Sequence, residues 1–343
     1  MRKARKVIFA MVLLALLHLA IFFAGFVAPY DPASQNRDFP FAPPSRIHFV
    51  DARGHLHLRP FVYAWSAVPD GINQYAESRE REYPVRFLVT GSRYLIAGFI
   101  PCRTHLLGTD EPTQIFIAGT DGYGRDQFSR ILYGGQISVA AGLLATAISL
   151  ALGLFVGCIS GFYGKWIDAS AMRFAELFLV LPWLYVLLAV RSFLPLHISP
   201  TQAFFLLVAV IGTIGWARPA RLIRGVVLSA RDRRYVIASR GFGASNFYLL
   251  RTHILPHTYE ILLTQAALLV PQYVIAEVTL SFFGVGLSEP VPSWGNLLAN
   301  LQQYSVLVSY WWMFAPAVAL VLISLGYLKV ANAIHESLQS GSI

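Results

Sequence analysis

Six apolar runs constrain this chain more than any other feature, at residues 7–27, 138–159, 171–190, 203–216, 259–283 and 310–328. A hydrocarbon core about 30 Å thick takes about 20 helical residues at about 1.5 Å each, and each run approaches that length once its flanks are counted. Within lipid every backbone N–H and C=O must be satisfied inside the chain, so such runs are expected to be helices. The sequence therefore predicts an all-α polytopic membrane protein with six transmembrane helices. Composition agrees: 56% of the 343 residues are hydrophobic, 13% are charged and the mean hydropathy is +0.55, against about 45–50% apolar and about 25% charged in soluble domains.

The net charge of +9 is explained by orientation rather than by nucleic acid. Arg218, Arg221, Arg224, Arg231, Arg233, Arg234, Arg240 and Arg251 follow the fourth run, whereas residues 285–309 contain no lysine or arginine. Cationic loops stay in the cytoplasm, so this loop and both termini are expected there. The first run follows Arg2, Lys3, Arg5 and Lys6 and exceeds the apolar core of a cleaved leader, so it is read as a retained helix. Cys102 and Cys158 sit in unlike segments and suggest neither a disulfide nor a metal site.

The chain divides into an N-terminal helix at 1–27, an extracytoplasmic insertion at 28–118 and a five-helix core at 119–343 with a cytoplasmic loop at 217–258. The insertion is expected to be β or mixed in character. Runs at 84–90, 94–100 and 114–118, broken by Gly91, Pro101 and Pro112, read as short strands. His55 and His57 share one face of a strand, but spacing supplies no further ligands, so no metal site is expected.

In the loop, Arg218, Arg221 and Arg224 recur at helical spacing beside Leu222, Ile223 and Val226, which continues the fourth span past a kink expected at Pro219. Gly241 and Gly243 punctuate that helix. Ser245 or Asn246 can cap a short helix from Phe247 to Leu250, and Pro256 is expected to end it before the next span. Gly243 stands thirteen residues before the proline of Leu255-Pro256. With Arg233, Tyr235, Val236, Ala238, Arg240, Ala244, Ser245 and Ile254, this spacing resembles the EAA loop of ABC importer permeases, closest to those that move dipeptides, oligopeptides and nickel complexes. Ile237 stands where that pattern has glutamate, and Ser239 replaces an alanine.

Two further blocks carry the resemblance. GTDGYGRDQFSRILYGG at 119–135 is similar to the GTDxxGRDxxSRxxYG block of the same subfamily, with Arg125, Asp126, Arg130 and Tyr133 expected to hold a short helix at headgroup level. Glu277, LSFFGVG at 280–286, Pro290, Pro292 and Ser293-Trp294-Gly295 resemble EaxLSFLGLG followed by PxPSWG, with Trp294 expected at the membrane interface. Met172, Arg173, Glu176 and Pro182 are similar to the family's third-span pattern.

The resemblance implies a type I ABC importer permease subunit that imports peptides or a related solute. Its implied partners are a homologous second permease, two ATP-binding subunits, an extracytoplasmic solute-binding protein and the lipid bilayer, with ATP used by the partners and no cofactor on this chain. It implies ATPase coupling through Arg240, Gly243, Ala244, Ser245, Asn246, Phe247 and Pro256. It also implies a pathway or outer gate at Glu277, Ser281, Phe282, Gly284 and Trp294. Intramembrane ionisable groups are costly and face protein or water, which singles out Glu176, Arg191 and Glu277. Glu176 is read as pairing with Arg173, and Arg191 as reaching the span's end. No GxxxxGK[ST], GxSxG or HExxH string occurs, which argues against an ATPase or an intramembrane enzyme. The alternative is a secondary carrier driven by an ion gradient.

Overall fold

In the computed structural model, residues 2–68, 75–96, 98–192 and 199–340 are described. Helices α1 (Arg2–Phe22) and α2 (Ala24–Val27) precede strands β1 (His48–Val50), β2 (Leu56–Ala67), β3 (Tyr75–Pro84), β4 (Arg86–Ile96) and β5 (Ile100–Gly108). Then come α3 (Gln127–Tyr163), α4 (Lys165–Val180), α5 (Trp183–Ser192), α6 (Pro200–Ile214), α7 (Ala217–Arg231) and α8 (Arg234–Gly241). The chain continues through α9 (Asn246–Tyr248), a π-helical stretch (Leu249–Ile254), α10 (Leu255–Phe282), α11 (Trp294–Ala299), α12 (Tyr304–Ser309) and α13 (Ala315–Ser340). Two compact bodies result, one of Met1–Leu14, Val139–Leu280 and Ile323–Ile343, the other of Ala15–Ser138 and Ser281–Leu322.

Helices in the first body pack closely because α3 presents glycine at every fourth position. A Cβ on Gly153 would lie 2.7 Å from Pro219, one on Gly157 2.7 Å from the Ala220 carbonyl, and one on Gly161 2.8 Å from Val227. Small residues at such spacing let two backbones approach without side chains between them. Ile223, Val227, Val236, Leu249 and Ile254 fill the space beyond with Cys158 and Phe162.

Among the described residues three helices are long and apolar enough to cross a bilayer, at Gln127–Tyr163, Asn246–Phe282 and Trp311–Glu336, and Pro200–Ile214 with Ala217–Arg231 adds a fourth if that pair is one span. The apolar stretch found in α1 among the described residues is Met11–Phe22, which is shorter. The run at 171–190 is split between α4 and α5, because the residue before Pro182 is driven out of helical geometry and Leu181 adopts φ −68°, ψ 129°. The 43° bend in the fourth run falls between α6 and α7, at Gly215 and Trp216. This is the kink expected from Pro219, whose ring crowds the carbonyl four residues earlier, that of Gly215, and offers it no N–H, so the bend falls one turn ahead of the proline.

The second body holds antiparallel sheets of order β1-β2-β3 and β4-β5. β4 is one strand across Gly91, but its pairing with β5 is interrupted there, the register shifting between Thr90 and Tyr94; the missing Cβ makes room for the His105 ring, which would otherwise lie 2.6 Å away. His105 Nδ1 in turn lies 2.6 Å from the Ala28 carbonyl, tying the β4-β5 hairpin to the end of α2. Residues 114–118 form no strand. Ile115 and Phe116 are buried, and their amides donate to Tyr30 Oη at 2.8 Å and Ser45 Oγ at 2.9 Å, so side chains satisfy what a neighbouring strand would.

Candidate functional site

Three places carry the residues singled out by sequence, and the 217–258 loop of the first body is the most developed. α8 ends at Gly241, and Gly243 takes φ +86°, a left-handed conformation that costs glycine nothing. Gly243 and Ala244 donate backbone hydrogen bonds to Arg240 and Ser239, which closes the turn. Ser245 then caps the next helix by accepting from the Tyr248 amide at 3.2 Å.

That helix does not stop at Leu250, and Pro256 does not end it. From Asn246 it runs to Phe282, widening into the π stretch Leu249–Ile254. Pro256 removes an N–H and crowds the carbonyl four residues earlier, and a wider turn just ahead of it is one way to relieve both. The short helix after Gly243 is consequently the start of the same helix that forms the membrane segment.

Leu249 and Ile254 anchor the base of this element in the apolar cluster with Val227 and Val236, while its tip projects. Phe242 is 93% exposed and Phe247 73%, with Tyr235, Ile237 and Tyr248 also exposed. Arg240 lies over the Phe162 ring at 5.6 Å. The two departures from the family pattern have separate surroundings: Ile237 is exposed, and Ser239 Oγ lies 3.2 Å from His253 Nε2. Tyr235 Oη and His257 Nε2 lie 2.6 Å apart, bracing α8 against the start of α10.

A cavity of about 250 Å³ opens elsewhere in the first body, lined by Phe178, Trp183, Ile211, Arg218, Gln272 and Tyr273 among others. Arg218, Gln272 and Tyr273 supply its polar side chains, and sequence reading did not single out the last two. Their spacing from Ala276 on α10 is the signal that would have found them. Glu277, the acid proposed for the pathway, is fully buried and does not line this cavity. Glu176 and Arg173 are both exposed on α4 and form no ion pair with each other; Asp168 of α4 instead takes Arg224 of α7. The side chain of Arg191 lies outside the described residues.

In the second body, the region after α10 and the region before α3 meet in one ionic network. Asp121 Oδ2 accepts from Arg125 Nε at 2.7 Å and lies 3.3 Å from Arg130 Nη1. Glu289 accepts from Arg125 Nη1 at 2.8 Å and from Arg130 Nη2 at 2.6 Å. Burial would raise the Glu289 pKa, but Arg130 and then Arg125 outweigh it and hold the carboxyl below its usual range. Arg125, Asp126 and Arg130 are buried within the protein, and α3 runs on from Gln127 without forming a separate short helix.

Gly284 (φ +74°) ends α10, and Ser281 Oγ accepts from the Leu287 amide at 3.2 Å. The Phe282 carbonyl accepts from Gln302 Nε2 at 2.6 Å. Trp294 is packed inside the protein. It is 1% exposed, its indole donates to the Ile131 carbonyl at 2.9 Å and its amide donates to Ser138 Oγ at 3.2 Å. The capping box of Ser293 and Asn296 that starts α11 turns the ring inward.

Residues 153–340, more than half of the chain, match the family described as binding-protein-dependent transport system inner membrane component. The chain belongs to this family. A peptide permease protein of Brucella suis biovar 1 is 37% identical over 220 residues, covering 64% of this chain and 71% of that one. The dipeptide transport system permease protein of Bacillus subtilis is 34% identical over 221 residues, covering 64% and 67%. The oligopeptide transport system permease protein of the same organism is 32% identical over 237 residues, covering 68% and 75%. Among solved structures, an amino acid ABC transporter crystallised with histidines is 19% identical with a TM-score of 0.46, over 61% of this chain and 94% of that one. The chain is thus an inner-membrane permease of the ABC transporter kind, and the named relatives are transport subunits.

Proposed function

We propose that this chain is the permease subunit of an ATP-driven importer of peptides or a chemically related solute, forming half of the translocation pathway. It works with a homologous permease, two ATP-binding subunits and an extracytoplasmic binding protein, and binds no cofactor itself. Both termini and the 217–258 loop face the cytoplasm, and residues 28–118 face outward.

The observation that carries this reading is the exposed tip around Phe242 and Phe247, held by the Gly243 turn on a helix continuous with α10. Large aromatics in water on a well-anchored base are the anatomy of an interface hot spot. Displacement of that tip by closing ATPases is transmitted along one continuous helix toward Gln272 and Tyr273 of the cavity, switching its access between sides. Membership in a family of binding-protein-dependent systems favours this reading over an ion-driven carrier.

Phe247→Cys, on a background with Cys102 and Cys158 replaced, tests it in cells coexpressing the ATP-binding subunits. A crosslink to such a subunit, with no labelling of intact cells by an impermeant thiol reagent, is expected. Labelling from outside overturns the assignment.

A further inference from the structure

We propose that Asp51, His57 and Glu82 form a binding site for one divalent transition-metal ion of the zinc class, on the β-sheet portion of the second body. This goes beyond the transport reading and uses none of its residues.

The turn between β1 and β2 and the far end of β3 bring the three donors together. One ligand atom from each lies within 4.8 Å of the other two. His57 Nε2 stands 3.2 Å from Asp51 Oδ2 and 3.6 Å from Glu82 Oε2. Tetrahedral corners around an ion with bonds of about 2.0–2.1 Å are about 3.3 Å apart, so the donors need only small shifts to close on one. Imidazole with two carboxylates suits zinc, cobalt or nickel; calcium and magnesium prefer all-oxygen shells.

Asp51 is prepared for this role by its turn. Its Oδ1 accepts from the Arg53 and His55 amides, each at 2.8 Å, which points Oδ2 toward His57. His55 Nδ1, 3.0 Å from that same Oδ2, is a positioning group. The Asp51 side chain is only 8% exposed. His57 and Glu82 are 39% and 37% exposed, which leaves an entry path and room for water as a fourth ligand. Bound there, the ion would join the β1-β2 turn to β3, outside the transport core.

The test uses the full chain, tag-free in detergent, titrated with Zn²⁺ against a chromophoric chelator and with Co²⁺ followed by visible absorption. One zinc per chain and intense bands of tetrahedral cobalt are expected, with His57→Gln and Glu82→Gln each weakening zinc by about tenfold or more. These two variants leave the Asp51 turn intact, so loss of fold does not mimic loss of metal. Zinc binding by the double variant equal to that of the natural chain, or no zinc bound by the natural chain, overturns the proposal.

Discussion

The Glu289 carboxylate accepts a hydrogen bond from Arg130 at 2.6 Å across 159 positions of sequence, and Arg130 is completely buried whereas Glu289 is 43% exposed. A guanidinium buried to that degree depends on its carboxylates, because desolvation of an unpaired charge costs more than a hydrogen bond returns. Glu289→Gln is therefore expected to destabilise the protein by about 1–3 kcal/mol, the cost of an under-satisfied buried charged group. Pairing it with Arg130→Met is expected to recover part of that loss. Thermal unfolding of the single and double variants in detergent checks both; additive losses contradict the coupling.

Asp126, just ahead of α3, gives the protein a predicted pH dependence. Burial pushes its carboxyl from 3.8 up to about 6, against the lowering effect of the Ser129 hydroxyl and amide that donate to Oδ2. Between those values the folded state keeps a proton that the unfolded chain has lost. Its contribution is complete below the lower value and is lost as pH rises through the upper one. Stability should fall over this range by at most about 1.4 kcal/mol per pH unit. Asp126→Asn should remove that part of the slope, read from melting temperatures across the same range.

Gly157 tests the close packing of α3 on α7. A Cβ there meets the Ala220 carbonyl at 2.7 Å and Ile223 at 2.9 Å, neither of which can swing away. Gly157→Val is expected to cost about 1–3 kcal/mol by overpacking. Gly225→Val on α7, where nothing lies within 4 Å, should cost far less. Equal losses in the two variants would contradict the packing account.

Much of this was readable beforehand where local chemistry decides the outcome. Gly243 and Ser245 declared a turn and a cap, and the structure has both, with φ +86° and a bond to Tyr248. The apolar runs announced the helices, but their continuity depended on proline context: Pro182 splits one run, Pro219 follows a 43° bend in another, and Pro256 is absorbed by a π stretch without ending its helix. Sequence does not show that Trp294 is packed inside the protein, because the Ile131 carbonyl that takes its indole lies 163 positions away. Ile115 and Phe116 are apolar enough for a strand, yet Tyr30 and Ser45 take their amides. The Gly153, Gly157 and Gly161 series was visible as small residues four apart, although its target on α7 was not. The joining of Asp51 to Glu82 depends on how β2 and β3 pair, which spacing along the chain does not encode.

The central claim is that motion generated in ATP-binding partners enters through the Gly243 turn. A Cβ on Gly243 would meet nothing within 4 Å, so the cost of a side chain there is set by the left-handed conformation, about 1–2 kcal/mol. The deciding measurement is solute uptake per ATP hydrolysed for Gly243→Val, reconstituted in vesicles with the partner permease, ATP-binding subunits and binding protein. The account predicts normal insertion and a ratio well below that of the natural chain, with Gly243→Asn between them because asparagine tolerates positive φ. An unchanged ratio in the valine variant would contradict it.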